Sequence, residues 1–297
     1  MDRKDFLKKG LLGTGMFVAS NAVGSLITND IDELEALEPF TEDKIVGFNH
    51  IPNTTSKIMS NTVIHKSDTR GHANHGWLDS HHTFSFANYY NPERMHFGVL
   101  RVLNDDIVTG GNGFGRHPHD NMEIISIPLE GDLEHQDSMG NVAVIKNGDI
   151  QAMSAGTGIT HSEKNKNAIK EVKFLQIWLF PNKKNVTPRY DQLTLKAEDR
   201  KNKLQQILSP NRDDAGVWIH QDAWFHLGSL DQNNKQTYKI KKNGNGVYAF
   251  VLSGQITIGA QTLDARDGFG VWDTTEISFV ANKKAEVLLM EVPMKVS

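Results

Sequence analysis

Two short polar pairs constrain this chain more than any other feature: His117-Pro118-His119 and His161-Ser162-Glu163. In each pair, one residue separates two side chains that can bind a metal. On a β-strand, residues i and i+2 point to the same face. If the two strands lie close together inside a barrel, three imidazoles and one carboxylate therefore converge on one point. Such a set can hold a metal ion and leaves positions open for a substrate or oxygen.

The sequence around these pairs predicts β-strands. Residues 122–129 are rich in β-formers and end at a turn signal, Glu130-Gly131-Asp132. Residues 172–180 form another apolar run, which Pro181 stops. Residues 97–103 predict a strand that ends at the polar residues 104–106. Small residues at 154–158 allow the backbone to bend tightly just before His161.

The second half of the chain has its own rhythm of short strands. The predicted strands cover residues 204–208, 216–220, 223–227, 237–240, 247–252, 255–258, 269–272, 277–280 and 287–290. Short strands at regular spacing, without a long helical period, indicate an all-β sandwich or barrel.

Composition excludes several classes of function. The 297 residues are 38% hydrophobic and 23% charged, which is ordinary for a soluble globular protein. The formal charge of -4 and the scattered Lys and Arg residues do not indicate a nucleic-acid surface. The chain has no cysteine, so disulfides, thiolate ligands and cysteine nucleophiles are excluded.

The first 61 residues differ from the rest. Residues 1–27 have a basic start, including Arg3-Lys4, before an uncharged segment rich in small residues, and this is the form of an export signal. It is similar to a twin-arginine signal in which Lys replaces the second Arg. Residues 28–61 are acidic and without periodicity, and predict a poorly ordered linker. We therefore expect a periplasmic or otherwise exported protein without stable membrane insertion after processing, with a cytoplasmic protein as the alternative.

A further group of histidines contains the residue types of a second metal site. His72, His75, His81 and His82 lie close together in sequence. They fall in a loop and strand whose aromatic residues are expected to pack a barrel, so a ligand role is not favoured there.

The motifs around the two pairs resemble the pirin family of bicupins. The resemblance rests on residues 113–123, 129–141 and 153–163, and on 70–80 and 82–87, which are similar to the bacterial pirin-like quercetin 2,3-dioxygenases. It extends from about His65 to Pro293. It implies an all-β fold of two tandem cupin barrels (double-stranded β-helices). The expected domains are an N-terminal metal-binding cupin at 62–186 and a C-terminal cupin at 187–297.

The resemblance also implies a ligand set: His117, His119, His161 and Glu163. Glu163 is expected to act as both ligand and catalytic base, although the ordinary cupin pattern would use Glu123. The turn at Gly254 resembles that at Gly131. His117 and His119 precede Gly131, but the residues at the same distances before Gly254 are Ile240 and Lys242. The metal is therefore expected in the N-terminal barrel alone, and His220 and His226 are expected at a surface or interface.

The activity implied by the resemblance is oxidative opening of flavonols such as quercetin, with O2 consumed and carbon monoxide released. Fe(II) is the expected metal, and Ni, Cu, Mn, Co and Zn suit the same donors. The expected partners are a flavonol or other small phenolic substrate and O2, with no nucleic acid, and the expected state is a monomer. The alternatives are an oxygenase for another phenolic or enol substrate and a non-enzymatic, metal-dependent redox sensor or protein-binding pirin.

Overall fold

The structure is a computed structural model, which describes residues 60–296. These residues form β-strands, connecting turns and two short 3-10 helices, Ser67–Thr69 and Ala197–Arg200. The strands of the first half are β1 Asn61–His65, β2 Gly71–Asn74, β3 Leu78–His82, β4 Leu100–Val108, β5 Gly113–His119, β6 Glu123–Glu130, β7 Leu133–Asp137, β8 Val142–Ile145, β9 Asp149–Ser154, β10 Ile159–Asn165 and β11 Val172–Leu179. The strands of the second half are β12 Arg189–Thr194, β13 Leu204–Ser209, β14 Val217–Trp218, β15 Trp224–Leu230, β16 Lys235–Lys239, β17 Asn245–Ser253, β18 Gln255–Ile258, β19 Gln261–Asp264, β20 Gly268–Trp272, β21 Glu276–Ala281 and β22 Ala285–Pro293.

The strands form two barrels, each built from a seven-stranded and a four-stranded sheet. The N-terminal barrel has the strand orders β12-β9-β6-β11-β4-β3-β2 and β5-β10-β7-β8. The C-terminal barrel has the orders β1-β20-β17-β22-β15-β13-β14 and β16-β21-β18-β19. The predicted all-β fold of two tandem cupin barrels is therefore confirmed.

Each barrel contains one strand from the other half of the chain. β1 pairs antiparallel with β20 in the C-terminal barrel, and β12 pairs with β9 in the N-terminal barrel. The two barrels are therefore joined by strand exchange as well as by the connection between them. The domain boundaries expected at 62–186 and 187–297 stay predictions.

The alternation of side chains along the strands separates two kinds of interior. Leu103, Ile125 and Ile177 point from the N-terminal seven-stranded sheet into a cluster shared with Phe225 and Tyr248 of the C-terminal barrel. The opposite faces of the same strands point into the N-terminal barrel. That interior holds two small apolar clusters together with buried polar groups, whereas a large apolar cluster fills the C-terminal barrel. The N-terminal barrel is therefore the one whose interior could form a polar active site.

The end predicted for the strand at 97–103 is wrong. β4 continues through Asn104 and Asp106 to Val108, although polar residues usually mark a strand end. Both polar side chains are buried, and the hydroxyl of Ser80 on β3 donates a hydrogen bond to Asp106. These residues are interior groups of the barrel, and the hydrogen bond supplies a partner for the carboxyl.

The turn comparison between the two halves is confirmed. Gly131 and Gly254 follow corresponding strands and have φ of 75° and 78°. A Cβ at either position would collide with a backbone carbonyl oxygen, of Glu171 or of Lys284. Both turns therefore require glycine.

The export signal at 1–27 and all but the last two residues of the linker at 28–61 lie outside the described residues, so both stay predictions. Within residues 60–296, no helix is long and apolar enough to cross a membrane.

Candidate metal centre

The pairing of β5 with β10 places three of the predicted side chains around one point. His117 lies directly opposite His161, and His119 lies opposite Ile159. The ring centroids of the three histidines are separated by 4.9 Å (117–119), 4.4 Å (117–161) and 4.8 Å (119–161). All three are buried, with 6%, 4% and 1% of their surfaces exposed. The sequence pattern therefore predicted this convergence correctly.

The ring nitrogens of these histidines are arranged as metal ligands. Nδ1 of His117 donates a hydrogen bond to the carbonyl oxygen of Gly115 at 2.7 Å, which leaves its Nε2 atom with a lone pair. Nε2 of His119 and Nε2 of His161 are buried and have no hydrogen-bond partner among the described residues. The candidate ligand atoms of the three residues lie within 4.8 Å of one another. Buried nitrogens without partners are costly, and a divalent metal would satisfy all three, so the donor set fits such an ion.

Burial keeps these imidazoles neutral. Burial, followed by the neighbouring His117, lowers the pKa of His119 to about 3. Burial, followed by the neighbouring histidines 117 and 119, also holds the pKa of His161 well below its usual range. The pKa of His117 is likewise lowered by burial. Neutral imidazole is the form that binds metals, so the triad is ready to bind near neutral pH.

Glu163 lies beside the triad and is fixed by two neighbours. A β-bulge between His161 and Glu163 shifts the register, so that Glu163 pairs with Phe114. Its carboxylate accepts hydrogen bonds from Nε2 of Gln176 at 2.8 Å and from Oγ of Ser126 at 3.1 Å. It is not part of the cluster of mutually close ligand atoms. Its role as the fourth ligand therefore stays a prediction.

The alternative carboxylate, Glu123, has different surroundings. It lies three residues before Ser126 on β6, so it points to the opposite face of that strand. It accepts a hydrogen bond from Oγ of Ser154 at 2.6 Å. Burial raises the pKa of Glu123 to about 7, although the hydrogen bond from Ser154 opposes this shift. The geometry favours Glu163 over Glu123 as the carboxylate of the site.

A small cavity adjoins the triad. It measures about 30 Å³ and is lined by Leu78, Ser80, Phe86, Asn104, Asp106, Phe114, His117, Glu163, Gln176 and Trp178. Pockets for drug-sized ligands typically measure about 300–1,000 Å³, so this cavity suits a molecule the size of water or O2. The aromatic lining agrees with the expectation for a phenolic substrate, but a flavonol requires part of the wall to move.

Two buried acidic groups near the site were not predicted from the sequence. Asp106 lines the cavity, and burial raises its pKa to about 7, with a further contribution from Asp105 and Glu163 and an opposing hydrogen bond from Ser80. Asp137 lies on β7, 3.2 Å from Nε2 of His135. Residues 135 and 137 have the same i, i+2 spacing as the predicted ligands, and this spacing was the available signal.

The C-terminal barrel has no corresponding set of ligands among residues 60–296. On β21, the counterpart of β10, the inward side chains include Ile277 and Phe279. The expected surface or interface position of His226 is wrong, because its ring is buried and packs on Tyr238 with centroids 4.8 Å apart. Burial lowers its pKa to about 3. The candidate ligand cluster that corresponds to the predicted metal site lies in the N-terminal barrel.

Comparisons with known proteins agree with this architecture. Residues 63–179 match the family model Pirin, and residues 206–292 match the model described as the quercetinase C-terminal cupin domain. The chain is 44% identical over 230 residues to a quercetin 2,3-dioxygenase of Escherichia coli strain K12, which covers 77% of this chain and 98% of that protein. It is 37% identical over 225 residues to a pirin-like protein of Caulobacter vibrioides, covering 75% of this chain and 96% of the relative.

A solved structure is similar as well. The crystal structure of a bacterial pirin from Escherichia coli in complex with nickel(II) superposes with a TM-score of 0.75 at 42% identity. The match covers 80% of this chain and 100% of that one. A divalent metal is therefore found in a relative of the same fold.

Proposed function

Because this chain belongs to the pirin family, we propose that it is a metal-dependent dioxygenase that opens flavonols such as quercetin with O2. The observation that supports this most strongly is the buried triad of His117, His119 and His161, with two unpartnered Nε2 atoms next to a hydrogen-bonded carboxylate. Relatives at 44% identity are named quercetin 2,3-dioxygenase, which supports the choice of substrate class.

The triad would hold one divalent metal, with Glu163 as the fourth ligand. When bound, such an ion acts as a Lewis acid and lowers the pKa of a hydroxyl group placed next to it. We take Fe(II) as the ion, while the nitrogen and oxygen donors also suit Ni, Cu, Mn, Co and Zn. The nickel complex of the Escherichia coli pirin supports a divalent ion in general.

We expect Glu163 to accept a proton from the 3-hydroxyl of a flavonol. The amide of Gln176 and the hydroxyl of Ser126 orient its carboxylate from two adjacent strands. General bases act over hydrogen-bond distances, so orientation of this kind matters as much as basicity. The flavonolate formed by this transfer then reacts with O2, whose two oxygen atoms enter the ring-opened product as carbon monoxide leaves.

The walls of the cavity serve to exclude water. Phe86 packs edge-to-face on Trp178 at 5.5 Å, and Trp178 packs on His119 at 4.9 Å. An apolar enclosure protects a reactive anion from protonation by solvent. Phe86 lies in the irregular segment between β3 and β4, so this is the wall that we expect to move when a flat substrate enters.

The test is oxygen uptake and carbon monoxide release with quercetin by metal-loaded protein. Glu163→Gln and His117→Ala should abolish both signals, whereas the matched Glu123→Gln should keep them, since Glu123 points to the other face of β6. If both site variants turn over at the wild-type rate, the proposed active site is wrong. If the metal-loaded wild type is inactive with flavonols, the proposed substrate class is wrong.

The volume of the cavity favours one second candidate, an oxygenase for a smaller phenolic or enol substrate. A space of about 30 Å³ requires less rearrangement for a catechol than for quercetin. The same assay with catechols and small enols separates the two candidates, because a smaller substrate should then give the higher kcat/KM.

A further inference from the structure

The hairpin formed by β2 and β3 carries a second group of metal-binding side chains. Along β3, Leu78 and Ser80 point inward and line the cavity beside the triad. Asp79 and His81 alternate with them and point to the outer face of the sheet. The second group therefore lies across one sheet from the buried centre.

Antiparallel pairing brings the side chains of this group together. His72 on β2 lies directly opposite His81 on β3, and their rings stack with centroids 4.5 Å apart and an interplanar angle of 18°. Oδ1 of Asp79 lies 2.7 Å from Nε2 of His72 and 3.7 Å from Nδ1 of His81. All three candidate ligand atoms are within 4.8 Å of one another. These separations suit ligands that share one ion at about 2.0–2.2 Å.

The carboxylate is held in place by the turn of the hairpin. Nδ2 of Asn74 lies 3.2 Å from Oδ2 of Asp79, which leaves Oδ1 directed towards the two histidines. The backbone N–H of Gly76 donates to Oδ1 of Asn74 at 2.8 Å and fixes the amide. Outer hydrogen bonds of this kind orient metal ligands, so the group is preorganised rather than a chance meeting of surface residues.

We propose that His72, Asp79 and His81 form a second site, for a divalent transition-metal ion such as Zn²⁺, Cu²⁺ or Ni²⁺. Two imidazoles and one carboxylate select such ions over Mg²⁺ and Ca²⁺, which prefer oxygen donors. The side chains are 51%, 36% and 36% exposed, so water can complete the coordination. Exposure also makes this site weaker than the buried triad.

The local charges permit binding. Burial, followed by the charges of Arg70 and His72, lowers the pKa of His81, so its imidazole is neutral at neutral pH. Asp105 lies 3.2 Å from Arg70 and 2.8 Å from Arg266, and it offsets part of the positive charge of the two guanidinium groups near the site. With an ion bound, Nε2 of His72 would give up its hydrogen bond to Asp79, and the neutral ring would carry its proton on Nδ1.

The experiment is a titration of chelator-treated full-length protein with Zn²⁺, followed by calorimetry and elemental analysis. Wild type should bind a tight equivalent and a weaker one. His81→Ala and Asp79→Asn should lose the weaker equivalent alone, and His119→Ala should lose the tight one alone. His96→Ala, which removes an exposed histidine outside both groups, is the matched control and should bind two equivalents.

A spectroscopic measurement identifies the ligands directly. Cu²⁺ added to the His119→Ala variant should give an electron paramagnetic resonance spectrum with coupling to two imidazole nitrogens. When His81→Ala is added to that variant, the coupling to one of the two nitrogens should disappear. The proposal is overturned if His81→Ala and Asp79→Asn bind the second equivalent as wild type does, or if wild type binds one equivalent that His119→Ala removes. Neither result depends on dioxygenase activity.

Discussion

The Nδ1 atoms of His161 and His135 lie 3.5 Å apart inside the N-terminal barrel, and Nε2 of His135 lies 3.2 Å from Oδ2 of Asp137. A carboxylate can only accept, so Nε2 of His135 carries the proton and its Nδ1 is an acceptor in the neutral ring. Nδ1 of His161 must then be the donor, which leaves the lone pair of His161 on Nε2, next to the other two imidazoles. Asp137 and His135 therefore set the tautomer of a candidate metal ligand.

Replacing His135 should weaken the buried metal site. Loss of such an outer partner typically costs about 10–100-fold in metal affinity, and we expect this loss for His135→Ala in a competition titration against a chelator. Tyr190→Phe is the control, since the Tyr190 ring packs on His135 at 4.8 Å but its hydroxyl donates to Gln192. Unchanged affinity in folded His135→Ala would show that the tautomer is set by other groups.

Phe86→Ala should open the cavity to larger substrates. Phe86 lines the space beside His117 and packs on Trp178, so its removal adds volume where a flavonol must enter. We expect the KM for quercetin to fall several-fold in steady-state oxygen uptake, and kcat to fall as well, because water then reaches the reactive anion. Tyr89→Phe changes the same segment without enlarging the cavity and should behave as wild type. An unaltered KM in Phe86→Ala would mean that the flavonol enters elsewhere.

Asp106 should make the stability of the metal-free protein depend on pH. Its pKa is raised to about 7 by burial, whereas an unfolded Asp titrates near 4. Between these values the folded chain binds more protons than the unfolded chain, so the free energy of unfolding falls as pH rises.

Asp106→Asn should remove this fall in the free energy of unfolding with rising pH. Since one pKa unit corresponds to about 1.4 kcal/mol, the variant should gain roughly 1–4 kcal/mol relative to wild type between pH 4 and pH 8. Urea unfolding at several pH values measures this difference. The control is Asp68→Asn, which makes the same change at an exposed position. A difference between Asp106→Asn and wild type that does not vary with pH would mean that Asp106 is ionised throughout.

We propose that the chain is exported through its first 27 residues. Arg3 and Lys4 supply the paired basic residues of a twin-arginine-like signal. In the native host, wild type should appear in the exported fraction, and a variant with both residues changed to Ala should stay in the cytoplasm. Equal distribution of the two proteins would favour the cytoplasmic alternative.

The parts of the fold that depend on local patterns could be predicted from the sequence. The i, i+2 spacing of His117 and His119, together with the position of His161, was enough to predict that the three imidazoles converge. Glycine turns such as Gly131 and Gly254 marked corresponding strands of the two barrels. Both features are encoded within a few residues, so they can be read without knowing the fold.

The parts that depend on distant pairing could not be predicted. β1 pairs with β20, which lies more than a hundred residues further along the chain. Nothing in the sequence of β1 or of β12 indicates its partner strand. Asn104 and Asp106 look like a strand end because their partners, including Ser80, are on other strands. The register shift between residues 161 and 163, which pairs Glu163 with Phe114, is not indicated by spacing alone.

Anomalous diffraction from crystals soaked with one equivalent of Fe(II) or Ni(II) is the most direct test of the central claim, that one ion is held by His117, His119, His161 and Glu163. We expect a single strong peak at about 2.0–2.2 Å from the three Nε2 atoms and from an oxygen of Glu163. A peak next to other residues would contradict the claim. An ion bound by the three histidines while Glu163 contacts only Ser126 and Gln176 would contradict it as well.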